Sequence, residues 1–244
     1  MSNGVLIAAD AAVEWMIPWW AQHFYQHNQV PVAFIDLGVT QAMRTRIQNF
    51  DFLIQPDLPN LSIDKSKIDP QSLIAWQTAY PGDLFKARES WLVKPFLFLQ
   101  SPFEKTLWLD VDCEVRTSIS PLFDLCDNPS GLAIAQDSTR AMAHGKQLGI
   151  LKHNETLYNG GVVAYHKGSA LLTHWINEVK QNHHLYFSDQ EALSRIIHTE
   201  KPTINEIPYS YNSRIWDHDA NIVHYANVRG KRKLLAKLLT EFSK

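Results

Sequence analysis

Cysteine is scarce in this sequence: only Cys113 and Cys126 occur among 244 residues. Two thiols are too few for a disulfide framework, and no CxxC or Cys/His cluster suggests zinc, so a reducing compartment is expected. Long apolar runs are missing as well, since none reaches the roughly 18 residues of a membrane-spanning helix. The opening stretch MSNGVLIAADAAVEWMIPWWAQHF has no basic lead, and Asp10 and Glu14 interrupt it. It reads as a strand and a helix, not as a secretion signal, which makes a cytoplasmic protein the expectation. Nor does one sign of charge dominate. A net charge of −2 gives no global pull toward nucleic acid, which is not an expected partner.

What remains is an ordinary globular composition, 45% hydrophobic and 20% charged, long enough for one large domain. Short β-rich runs alternate with helical stretches. GVLIAAD reads as a strand, followed by a helix from Ala11 to Gln26 in which Pro18 is a potential kink. VPVAFIDLG is a second strand, TQAMRTRIQNF a helix capped by Thr40, and DFLIQ a third strand. Residues 56–81, punctuated by Pro56, Pro59, Pro70, Pro81 and Gly82, read as irregular. A helix over 87–99 feeds KTLWLDVDCEV. GLAIAQD and YNGGVVAYH follow as strands, then helices near 169–181 and 189–199, then short strands at TINEIP and ANIVHYA. With no repeat, low-complexity tract or linker, this alternation argues for one α/β/α sandwich around a largely parallel mixed sheet.

The chemistry gathers around Asp110 and Asp112, which end an apolar run. On a strand, residues two apart point to one side, so both carboxylates can converge on a single ion. Ligands of open α/β sheets collect at the carboxyl ends of strands. Hard oxygen donors suit Mg²⁺ or Mn²⁺ completed by substrate phosphates. A solvated strand end accounts for an isolated D-x-D equally well. A haloacid-dehalogenase-type phosphatase with Asp110 as nucleophile is a further alternative. That motif belongs on a domain's first strand, whereas here about 100 residues of α/β pattern precede it, and the downstream Gly-Asp-x-x-x-Asp arrangement is missing.

In order along the chain stand AAD, LWLDVD, YNGGVV, SDQEAL and a late VHY. In these five elements the sequence resembles the retaining family 8 glycosyltransferases of the GT-A fold, nucleotide-diphospho-sugar enzymes that include bacterial lipooligosaccharide galactosyltransferases. The resemblance implies a hexose transferred from a nucleotide diphosphate sugar, with UDP the expected nucleotide, to a hydroxyl of a glycan or lipid-linked glycan. By the same resemblance, Asp10 and the backbone of Ala8 meet the uracil base, though Asp10 also reads as an N-cap. Asp110, Asp112 and His224 hold the metal, and the imidazole tilts the preference toward Mn²⁺. Asn159, Gly160, Gly161 and Asp137 face the sugar, although YNGG equally describes a turn into a strand. Asp189 and Gln190 lie at the anomeric carbon, in a segment where Ser188 and Glu191 also spell a capping box. For an inverting enzyme, Asp189 is the candidate base. Lys94 meets the diphosphate. The family's His-x-x-Gly-x-x-Lys is altered: Asn227 replaces the glycine, and Arg229 and Lys231 flank the place of the lysine, leaving the phosphate contact open between them. A catalytically silent sugar-nucleotide or glycan-binding protein would carry the same residues.

The tail, 231–244, reads as a separate basic amphipathic helix. Leu234, Leu235, Leu238, Leu239 and Phe242 share one face, beside Lys231, Arg232, Lys233 and Lys237. It suits either packing on the core or peripheral contact with an anionic membrane surface, where lipid-linked acceptors reside.

Overall fold

Apolar alternation along the strands sets the architecture. In the first strand, β1 (Asn3–Ala9), Val5, Ile7 and Ala9 enter one core while Leu6 enters another, because successive side chains leave opposite faces of a sheet. The computed structural model describes residues 2–61, 63–215 and 219–241. After β1 come α1 (Ile17–His27), β2 (Val32–Asp36), α2 (Gln41–Ile47), β3 (Phe52–Ile54), α3 (Pro70–Ala79) and α4 (Leu84–Phe98). Then follow β4 (Lys105–Leu109), β5 (Cys113–Val115), β6 (Leu132–Gln136), α5 (Thr139–Gln147) and β7 (Tyr158–His166). The remaining elements are α6 (Ala170–Asn182), α7 (Asp189–Glu200), β8 (Asn205–Glu206), β9 (Ile222–His224) and α8 (Asn227–Glu241).

Among the described residues, seven strands form one sheet in the order β3-β2-β1-β4-β7-β6-β8. All run parallel except β7, which is antiparallel to both neighbours. The expected largely parallel mixed sheet is therefore present. One face carries α1, α2 and α8, whose Trp20, Phe24, Ile47 and Leu234 are fully buried. The other carries α4, α6 and α7, with Leu92, Trp175 and Leu193 in its core. A small pair, β5 with β9, sits beyond the end of β4.

Several local expectations give way. No helix starts at Ala11: Asp10 accepts hydrogen bonds from the amides of Ala12 and Val13, which holds a turn. The helix starts at Ile17, so Pro18 lies in its first turn, where a missing N–H costs nothing and no kink results. Residues 70–79 of the stretch read as irregular are helical, started by Asp69 accepting from Ser72 N with Pro70 behind it. Only Trp76 of that helix is buried, so it shows no apolar stripe. Arg88, fully buried on α4, donates to the carbonyls of His183, Tyr186 and Phe187 and stacks on Trp76. It thereby fixes the segment leading into α7.

The C-terminal helix begins four residues before 231. Asn227 adopts φ 63° and its side-chain oxygen accepts from the amides of Arg229 and Gly230, starting α8. Asparagine tolerates this left-handed conformation, which explains why it can stand in a position where glycine is expected. The leucine face divides. Leu234 and Leu238, one turn apart, enter the core with α1, while Leu235 and Leu239, rotated about 100° away, are exposed. Phe242 lies outside the described residues. No helix among the described residues is long and apolar enough to cross a membrane. Leu234→Ala is expected to cost about 2–5 kcal/mol and Leu239→Ala about 0.5 kcal/mol or less. Urea denaturation of the two variants measures the difference, and equal losses would place α8 off the core.

Candidate active site

Asp110, Asp137 and Asn159 meet where β4 and β6 end and β7 begins, at the carboxyl edge of the parallel strands. Strand alternation does not pair the two acids of the D-x-D. β4 stops at Leu109 and the chain turns through 111–112, with the Cys113 amide donating to Asp110 O at 2.9 Å. Nor is Asp112 an exposed tip. It is 5% exposed, covered by β9 and α8.

Buried carboxylates need counter-charges. Lys94 Nζ lies 2.7 and 3.0 Å from the two oxygens of Asp110 and 3.3 Å from the Gly160 carbonyl. The Trp108 indole donates to Asp110 Oδ1 at 2.7 Å from the aromatic core below. Lys231 Nζ sits 2.6 Å from Asp112 Oδ2. Of the two cations left open by the sequence, Lys231 reaches the acids; Arg229 is exposed. Burial works to raise the Asp112 carboxyl, but Lys231, joined by His224 when its ring is protonated, outweighs it and holds the group well below the usual range. Burial likewise works to lower Lys94, and Asp110 and Asp189 carry it above its ordinary value.

His224 completes a compact donor set. Its Nε2 is 3.2 Å from Asp112 Oδ1 and 3.6 Å from Asp110 Oδ2. Among the described residues, the buried Asp112 Oδ1 has no hydrogen bond of good geometry, and His224 Nε2 is the nitrogen that faces it. Cys113 also lies close, but burial raises its thiol well above the usual range and it donates to Gly161 O.

The sugar-side residues interlock. YNGG lies wholly within β7 and forms no turn. Asn159 Nδ2 donates to Asp137 Oδ2, and Gly160 N donates to Gln190 Oε1 at 2.7 Å. Gln190 and Asp189 open α7, where Ser188 accepts from Glu191 N and Glu191 accepts from Phe187 N. This differs by one residue from a capping box, in which the glutamate would return to Ser188 itself. Burial pushes the Asp189 carboxyl up to about 7 against the pull of Lys94, and its Oδ2 has no hydrogen-bond partner among the described residues. Ala8 lies at the end of β1, the strand beside β4, and Asp10 follows it, accepting from the amides of its own turn. Sequence reasoning missed Trp108, Asn212 and Arg214. Arg214 pairs with Asp137 at 2.5 Å, and Asn212 donates to Asn159. Trp108 alone had a signal, its place two residues before Asp110.

The two glycines of YNGG differ in what they permit. A Cβ on Gly161 would overlap the His224 ring, whereas one on Gly160 would rest 3.5 Å from Gln190 Oε1. The bare Cα of Gly161 thus seats the imidazole. Gly161→Ala is expected to cost about 1–3 kcal/mol through overpacking and Gly160→Ala about 0.5 kcal/mol or less. Thermal denaturation of the two variants decides, and a Gly161→Ala protein as stable as the parent would contradict this packing.

No family model and no curated protein matches the sequence. Solved structures do match. A galactosyltransferase, LgtC, in complex with donor and acceptor sugar analogs, superposes with a TM-score of 0.53 at 17% identity, covering 92% of this chain and 87% of that one. The glycosyltransferase GlyE of Streptococcus pneumoniae TIGR4 gives 0.59 at 16% identity, over 93% of this chain and 55% of its own. Mouse xyloside xylosyltransferase 1 gives 0.60 at 13% identity, over 94% and 99%. The chain has the GT-A fold of these glycosyltransferases.

Proposed function

We propose that this protein is a metal-dependent glycosyltransferase that moves a hexose from a nucleotide diphosphate sugar, with UDP the favoured nucleotide, to a glycan hydroxyl. One observation carries the reading. Asp112 is buried with one oxygen that has no hydrogen-bond partner among the described residues and faces His224, beside a second carboxylate, at the sheet edge where open α/β folds bind ligands. A divalent cation fits this donor set, held by Asp110, Asp112 and His224, and the imidazole favours Mn²⁺ over Mg²⁺. When bound, such an ion supplies positive charge against a departing diphosphate.

The protein's own groups do the rest. Lys94 and Lys231, already placed at the two acids, add charge for the phosphates. Asp10 and the backbone of Ala8, at the tip of β1, are the proposed contacts for the base. Asn159, Asp137, the Gly160–Gly161 backbone and Asp189 are the proposed contacts for the sugar, the first three as an interlocked wall. Gln190 is held against Gly160 beside Lys94. Retention of configuration is the proposed outcome, with Gln190, an amide that cannot act as a base, at the anomeric carbon; inversion would use Asp189 as the base. A phosphatase using Asp110 as nucleophile is disfavoured, since the motif follows β4 instead of the first strand and the downstream Gly-Asp-x-x-x-Asp arrangement is missing from the sequence. The acceptor is proposed to be a glycan or lipid-linked glycan. Membrane contact by α8 would rest on Leu235, Leu239 and the cations outside its packed face.

The test is donor hydrolysis with and without Mn²⁺. Release of UDP and free hexose from a UDP-hexose supports the reading, phosphate released from simple monoesters supports the phosphatase, and UDP binding without turnover leaves a silent binder. Asp112→Asn and His224→Ala are each expected to remove nearly all Mn²⁺-dependent UDP binding. If both folded variants bind UDP with Mn²⁺ as the parent does, the metal assignment is wrong. Gln190→Ala is expected to lower turnover with donor affinity held, the pattern of an interaction made mainly in the transition state.

A further inference from the structure

Asn212 lies on the loop between β8 and β9 and is 1% exposed. Its amide is used on both sides. Nδ2 donates to Asn159 Oδ1 at 3.0 Å and to Asn159 O at 3.3 Å, while Oδ1 faces His224 Nδ1 at 3.0 Å. Two acceptors claim the NH₂, so the atom presented to the imidazole is the carbonyl oxygen, which can only accept. His224 Nδ1 must therefore carry a hydrogen. A neutral imidazole protonated there leaves Nε2 as a bare lone pair, and Nε2 is the atom turned to Asp112 and Asp110.

We infer that Asn212 is a positioning residue that fixes His224 in the Nδ1–H tautomer, so that Nε2 is offered to a cation held with the two acids. The inference rests on the metal reading above and extends it. The same amide locks Asn159, whose Oδ1 also accepts from Gly161 N and whose Nδ2 reaches Asp137. Arg214, two residues along the loop, pairs with Asp137 from the other side. Asn212 therefore sets both the ring of the metal-side histidine and the amide of the sugar-side asparagine. Gly161, with no side chain, leaves room for the ring in that orientation. Asparagine alone meets both demands at this length. Aspartate keeps the acceptor and loses the two donated bonds, and leucine loses everything.

Two measurements test this. Long-range ¹⁵N–¹H spectra at pH 9, with His224 assigned through His224→Gln, are expected to show the Nδ1–H tautomer in the parent and its loss in Asn212→Leu. Mn²⁺ titration followed by electron paramagnetic resonance is expected to weaken about 10–100-fold in Asn212→Leu, the usual loss when a ligand's orienting partner is removed. Asn212→Asp is expected to retain the parent's Mn²⁺ affinity even though it is less stable, because its carboxylate still accepts from Nδ1–H. A purely structural role would weaken Mn²⁺ binding in both variants in step with their melting temperatures, and that result overturns the proposal. So does an Nε2–H tautomer in the parent. If Asn212→Leu does not fold, the parent's tautomer and the Asn212→Asp titration decide. If the parent binds no Mn²⁺, the metal reading falls, while the ¹⁵N spectra still judge the role of Asn212.

Discussion

Three acids alternate along one short stretch, Asp110, Asp112 and Glu114, and the last two are almost wholly buried. Removing carboxylates from water costs several kcal/mol each unless donors and cations replace it. The surrounding structure supplies them. Lys94 comes from α4, Lys231 and Lys237 from α8, Arg116 from the same segment, and hydrogen bonds from Trp108 and Tyr225 complete the shell. Burial works to raise Glu114, yet its donors bring it down to about 2. This charge balance dictates where α4 and α8 must dock, and it places the candidate site between them.

Rigidity at the opposite wall has a separate origin. The first turn of α7 carries Asp189 and Gln190, and three independent devices hold it. Ser188 caps it, Glu191 reaches back to Phe187 N, and Arg88 ties down the carbonyls of the preceding segment. The Trp175 indole adds a bond to Asp189 O from the core. Residues 189 and 190 are thus fixed by contacts with α4 and α6 as well as by their own helix.

Much of this is legible from residue order, for definite reasons. Strands such as Val5–Ala9 bury both faces, so their apolar runs are plain, and the polar break at Asp110 marks where β4 leaves the sheet. The turn after it is not legible, because alternation carries no information past the last ladder bond. α3 is hidden because one tryptophan supplies its buried contact. That Lys231 pairs with Asp112 depends on the phase of α8, which a left-handed Asn227 sets. Asn212 reaches partners 53 and 12 residues away and Arg214 one 77 residues away, and no local pattern announces such contacts.

The two lysines that α8 sends back to the acids bear on the order in which the molecule assembles. Asp110 finds its cation 16 residues earlier in the chain, but Asp112 waits for one 119 residues later. A nascent chain can therefore build most of the sheet while the turn after β4 still keeps its water. Only the arrival of α8 lets Asp112 be buried without large cost. Assembly of the site is thereby a late event, gated by a contact of very long sequence separation. A chain stalled short of that point would own a sheet and a half-neutralised acid pair.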